Sequence, residues 1–123
     1  MRIIAGKYKA KKLAAPEGKT TRPTSDRVRE AVFDILESYL RGQTIGWTDV
    51  AVLDVFAGTG ALGLEALSRG AASLTAAEKD PAAIACFWQN AEVFVKSGLS
   101  VHLFKDALNP PQAQAPVTLL FMD

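Results

Sequence analysis

Apolar residues recur at Val28, Ala31, Val32, Ile35, Leu36, Tyr39 and Leu40, steps of three and four residues along one stretch. That period predicts an amphipathic helix with those seven residues as its buried face. Thr24 or Ser25 can cap its first free N–H groups, and Gly42 ends it. Before it, residues 2–13 read as a short hairpin or extended pair with Gly6 near the turn, and residues 14–23 as a loop carrying Pro16, Gly18 and Pro23. After it, near-continuous apolar runs alternate with helical patterns. Strands are expected at 50–56, 74–78, 101–104 and 117–122, and helices at 61–69 and 81–97, with a loop over 106–116. Asp80 caps the last helix and Pro81 takes its first position. This alternation predicts an α/β fold built on a parallel, doubly wound sheet.

Composition narrows the class. The chain has 123 residues, 49% hydrophobic and 22% charged, which suits one folded domain. No apolar run reaches the roughly 18 residues of a membrane span, and the first residues carry no secretion signal, so a soluble cytoplasmic protein is expected. A lone cysteine, Cys86, rules out an internal disulfide and a cysteine-cluster metal site, and no metal is expected. The net charge of +1 conceals an asymmetry: residues 1–30 hold nine Lys or Arg against three acids. A basic arm on an acidic body points to a polyanion such as RNA, gripped by Arg2, Lys7, Lys9, Lys11 and Lys12. A plain solvated surface explains the same charges. Tyr8, among those lysines, can either stack on a base or pack against the hairpin.

The segment Asp54-Val55-Phe56-Ala57-Gly58-Thr59-Gly60-Ala61-Leu62-Gly63 follows a strand and opens a helix. Gly58 and Gly60 let backbone approach a ligand, and Gly63 permits close helix packing. Glu78 lies twenty residues after Gly58, at the end of the next strand, where a carboxylate can accept two ribose hydroxyls. The plain alternative is a strand–helix turn with a surface acid beyond it. Dinucleotides and S-adenosylmethionine share this layout. Asp54 separates them, because an acid four residues before Gly58 repels a diphosphate and suits a cationic amine and sulfonium. Asp106, after the third strand, can meet an adenine amine or simply cap its own loop.

With these motifs in place, the chain resembles the bacterial 16S ribosomal RNA guanine-N2 methyltransferases. The resemblance runs through Arg2-Ile3-Ile4-Ala5-Gly6, Thr21-Arg22-Pro23-Thr24-Ser25-Asp26-Arg27-Val28-Arg29-Glu30, the stretch from Leu53 to Ala71, and Glu78-Lys79-Asp80. It implies a Rossmann-like methyltransferase fold with an N-terminal hairpin extension, S-adenosylmethionine as methyl donor, and a guanine amine in 16S ribosomal RNA or the assembling small subunit as acceptor. By resemblance, residues 1–23 form the RNA-contacting arm and residues 24–123 the cofactor-binding part. The donor then falls to Asp54, Phe56, Ala57, Gly58, Thr59, Gly60, Glu78 and Asp106, with Arg22 and Thr24 bordering its pocket.

Family members continue the fourth strand into Asp-Pro-Pro-Tyr or a close variant. Here Leu119-Leu120-Phe121-Met122-Asp123 supplies the strand and the acid, so Asp123 is the catalytic candidate. The chain is therefore expected to be incomplete, with four strands of the sheet. It is expected to bind cofactor, to show little or no methyl transfer alone, and to pair with a second copy through the bare edge of its fourth strand. Asn109-Pro110-Pro111-Gln112 imitates the missing motif but precedes the strand, and reads as a loop. Cys86 reads as a packing or surface residue, and His102 as core or edge packing rather than a metal ligand. Three rivals remain: an adenine-N6 or other amino methyltransferase, a fragment of an NAD-binding oxidoreductase, and a non-catalytic RNA-binding module.

Overall fold

The computed structural model describes residues 1–17, 24–111 and 116–123. Arg22, Pro23, Gly18 and Gln112 lie outside the described residues. Helix α1, Asp26–Gly42, begins where its cap predicts: the Ser25 hydroxyl accepts the Val28 N–H at 3.2 Å. A single 3-10 turn at Trp47–Asp49 leads into strand β1, Ala51–Val55. Then follow α2 (Ala61–Ser68), β2 (Ser73–Ala77), α3 (Pro81–Lys96), β3 (Ser100–Phe104) and β4 (Leu119–Met122). The three helices and four strands match expectation in type and order, with ends moved by one or two residues, while the 3-10 turn was not expected.

The sheet is wholly parallel with order β3-β2-β1-β4. The chain builds outward from β1 to β3, then crosses to the other side of β1. Such a reversal opens a crevice at the carboxyl ends of the two strands that flank it, here β1 and β4. Their register sets Asp54 beside Phe121 and Val55 beside Met122. Among the described residues, β4 has a paired neighbour on one side only. Phe33, Val52, Leu64, Leu74, Phe87 and Phe94 form the centre of the core, each 2% exposed or less.

The face of α1 differs from expectation. Its buried residues are Arg29 and Phe33. Val32, Leu36 and Leu40 lie at the margin of the core. Ala31 is exposed, and Val28, Ile35 and Tyr39 are 51%, 71% and 62% exposed. Polarity misassigned the face because Arg29 is held inside by partners. Its guanidinium donates to Glu65 at 3.4 Å, to the Arg2 carbonyl at 2.9 Å and to Asp26. A paired, hydrogen-bonded cation can be buried where a lone one cannot.

The hairpin forms, though as a single bridge between Arg2 and Lys12 rather than two full strands. Ile3 N–H donates to the Lys11 carbonyl, and Ala10 N–H to that of Ile3, both at 2.9 Å. Tyr8 turns inward: its ring lies 4.5 Å from that of Phe94 and its hydroxyl bonds Ser97. Of the two readings of Tyr8, packing is the one observed. Among the described residues, no helix is long and apolar enough to cross a membrane.

Candidate functional site

The crevice is built by a backbone that L-residues seldom adopt. Just after β1, Phe56 takes φ +63°, followed by Gly58 at +59° and Gly60 at +86°. A bulky residue in that region stores strain of about 1–3 kcal/mol, and such strain concentrates at binding sites. The Phe56 ring is left 60% exposed. At Gly60 a side chain is excluded twice over, by φ and because a Cβ would stand 2.7 Å from the Phe87 ring. The loop therefore sits low against α3.

The resulting cleft holds about 210 Å³ and is lined by Met1, Thr24, Asp54, Phe56, Ala57, Gly58, Thr59, Ala61, Leu62 and Asp123. Six predicted cofactor residues thus meet there with the predicted catalytic acid. Asp54 is 2% exposed. Burial pushes its carboxyl up to about 7; the Gly63 N–H opposes this, while the charges of Asp123 and Glu78 add to it. No lysine or arginine side chain is among the described lining residues. Asp123 accepts the Thr24 hydroxyl at 2.5 Å, which ties the start of α1 to the end of β4.

Glu78 stands behind the loop. Its Oε1 accepts the Gly58 N–H at 2.7 Å, and its Oε2 accepts the N–H groups of Lys79 and Asp80. It still has acceptor capacity for a ligand hydroxyl. Asp106 stands apart from the cleft lining. Its carboxylate accepts from Leu108 N–H at 2.9 Å and Asn109 Nδ2 at 2.7 Å, and these bonds pull its pKa down. Of its two readings, the loop cap is the arrangement observed. Arg22 lies outside the described residues. Asn109 and the two prolines after it belong to that same loop, following β3.

On the arm, Arg2, Lys7, Lys9 and Lys12 are exposed and Lys11 is half-buried. Arg2 lies 3.7 Å from Asp26 and Lys7 5.6 Å from the Tyr8 ring. His102 is exposed on β3, 3.2 Å from the Ser100 hydroxyl, and Cys86 is half-buried on α3. Sequence reasoning passed over Glu65, Arg29 and Asn90, all buried. Glu65 had a signal, a lone acid within the otherwise apolar run of α2. Asn90 had none.

Comparison with known proteins follows the same lines. The family model described as "Conserved hypothetical protein 95" matches residues 1–123. Ribosomal RNA small subunit methyltransferase D of Escherichia coli K12 is 48% identical over 82 residues, covering 67% of this chain and 38% of that protein. The protein of the same name from Haemophilus influenzae is 35% identical, covering 100% of this chain and 62% of its own length. The solved structure of a hypothetical protein from Thermus thermophilus superposes with a TM-score of 0.67 at 33% identity, over 85% of this chain and 54% of that one. The chain spans less than two thirds of the curated relatives it matches.

Proposed function

The chain belongs to the Conserved hypothetical protein 95 family, and from that membership we propose that it is the cofactor-binding part of an S-adenosylmethionine-dependent ribosomal RNA methyltransferase. The acceptor in this reading is the exocyclic N2 amine of a guanine in 16S ribosomal RNA. One observation carries the cofactor assignment: Asp54, Asp123 and Glu78 gather their negative charge around the glycine loop, and Asp54 is buried with a pKa of about 7. That field disfavours a diphosphate and favours a ligand bearing an ammonium and a sulfonium. The residues present therefore fit the cofactor. The left-handed loop from Phe56 to Gly60 would cradle it, Glu78 would take ribose hydroxyls with its spare lone pairs, and Asp54 would face the cationic end.

When bound, S-adenosylmethionine supplies an electrophilic methyl group. The chain's own residues supply position. Asp123, oriented by Thr24, would accept an N–H of the guanine amine and return electron density to its nitrogen. A guanine amine is a weak nucleophile because its lone pair is delocalised into the ring, so holding it in line carries most of the rate gain. The exposed arm lysines would grip RNA phosphates without reading sequence.

Thermal unfolding with added ligands tests this. S-adenosylhomocysteine should raise Tm in a concentration-dependent way and NAD should leave it unchanged. Stabilisation by NAD alone would overturn the assignment in favour of an oxidoreductase fragment.

A further inference from the structure

The hairpin and the glycine loop meet at one side chain. Asn90, on α3, is 1% exposed. Its Oδ1 accepts the Ala14 N–H at 2.6 Å. Its Nδ2 donates to the Ala14 carbonyl and to the Thr59 carbonyl, each at 3.0 Å. Ala14 directly follows Leu13, whose N–H makes the hairpin's last bond, to the Met1 carbonyl. Thr59 sits between the two left-handed glycines of the loop. Only one orientation of the amide satisfies this set, because the flipped group would set its oxygen against two carbonyl oxygens. Two donors and an acceptor on one short planar group are needed, which asparagine supplies and aspartate or leucine does not.

A second set of bonds fixes the hairpin to α2, the helix that the loop opens. Ile4 and Ala5 N–H groups donate to Glu65 at 2.8 and 3.1 Å. Lys7 N–H donates to the Ser68 carbonyl at 2.8 Å, and Tyr8 N–H to the Ser68 hydroxyl at 3.0 Å. Gly6 lies so close that a Cβ would stand 2.0 Å from the Ser68 carbonyl oxygen. The hairpin is thus part of the frame that holds the loop. The Thr59 bond acts on this loop alongside those from the Gly58 N–H to Glu78 and from the Ala57 N–H to the Ala77 carbonyl.

We propose that Asn90 is a positioning residue that couples docking of the basic hairpin to the shape of the glycine loop, so that a polyanion on the hairpin and an adenosyl ligand in the cleft strengthen each other's binding. The identity of those two ligands rests on the function proposed above; the mechanical coupling does not. Linkage makes the effect reciprocal. A hairpin held down keeps Ala14 on Asn90 and Asn90 on Thr59. A hairpin lifted away frees the amide to turn and releases the loop.

Amide hydrogen exchange on the ligand-free chain tests the coupling directly. Asn90→Leu, which keeps the shape and removes every bond, should speed exchange about tenfold in both the 1–14 and the 56–63 segments. Gly6→Ala undocks the turn without touching the loop or Asn90. It should speed exchange in the 56–63 segment of the otherwise native chain, and add nothing there in the Asn90→Leu background. If Gly6→Ala leaves the loop at its native rate, or speeds it equally in both backgrounds, the coupling is overturned. With ligands, a 16S ribosomal RNA fragment should tighten S-adenosylhomocysteine binding about fivefold in the native chain and not at all in Asn90→Leu. Failure of the native chain to bind S-adenosylhomocysteine would overturn the proposed function, and loop exchange would still decide the role of Asn90.

Discussion

Glu65 and Asp54 are both carboxylates shut away from solvent, 0% and 2% exposed, in opposite surroundings. Glu65 faces Arg29 at 3.4 Å and Arg69 at 2.9 Å, and also accepts two backbone N–H groups of the hairpin. Asp54 has one backbone N–H, from Gly63, and two further acids, Asp123 and Glu78, within electrostatic reach. Around Glu65 every charge has its complement, so the cluster is finished and joins hairpin, α1 and α2. Around Asp54 no cationic side chain stands among the described lining residues, and the carboxyl holds its proton to about pH 7 instead. A buried charge that is already paired marks architecture; one left among like charges marks a place to bind.

Removing the charge at each position separates the two cases. The largest effect is expected at the finished cluster. Glu65→Ala strands Arg29 and Arg69 inside the protein, and breaking a buried pair from one side costs about 3–5 kcal/mol. Urea unfolding of the variant should show that loss. A variant within about 1 kcal/mol of the native chain would mean that the cluster contributes little.

At Asp54 the sign reverses, and pH reveals it. The folded-state pKa, about 7, lies above the ordinary value of 3.8. Between those values the folded chain keeps the proton that the unfolded chain has lost. Stability from this group therefore falls as pH rises from about 4 to about 7, then levels off. The span corresponds to something on the order of 4 kcal/mol at most. Asp54→Asn should be more stable than the native chain at about pH 8 and match it near pH 4. A constant difference between the two pH–stability curves would refute the assigned shift. The same variant should bind the cofactor more weakly, which makes Asp54 a residue kept at a cost in stability.

The smallest expected effect concerns the arm. Lys11→Ala with Lys12→Ala should leave unfolding unchanged within about 0.5 kcal/mol, as surface changes usually do. If each lysine meets a phosphate, the salt dependence of RNA binding should fall by roughly 0.7 per lysine. An unchanged salt slope would remove those two lysines from the interface.

The fold was largely legible from pattern, because short apolar strand runs and capped helices leave strong local signals. The glycine loop and Asp54 stand out by position at the end of a strand, whereas Asp123 stands out only through the family resemblance; the structure brings Asp54, the loop and Asp123 to one cleft. What escaped was pairing across long sequence distances. Arg29 looked like a surface residue until Glu65, 36 positions later, was seen to hold it. Asn90 is ordinary in sequence, and its partners are backbone atoms 31 and 76 positions away. The loop acid Asp106 is a different case: an aspartate three residues before an asparagine has a local partner, and the structure records that bond.

The central claim is that the cleft accepts a cationic adenosyl ligand through Asp54. Calorimetric titration of the native chain with S-adenosylmethionine at about pH 7, repeated in buffers of different ionisation enthalpy, tests it most directly. Binding should be accompanied by proton release, as the cation drives the raised Asp54 carboxyl toward its ionised form, and Asp54→Asn should lose that release. Binding without proton release, or release undiminished in Asp54→Asn, would contradict the account.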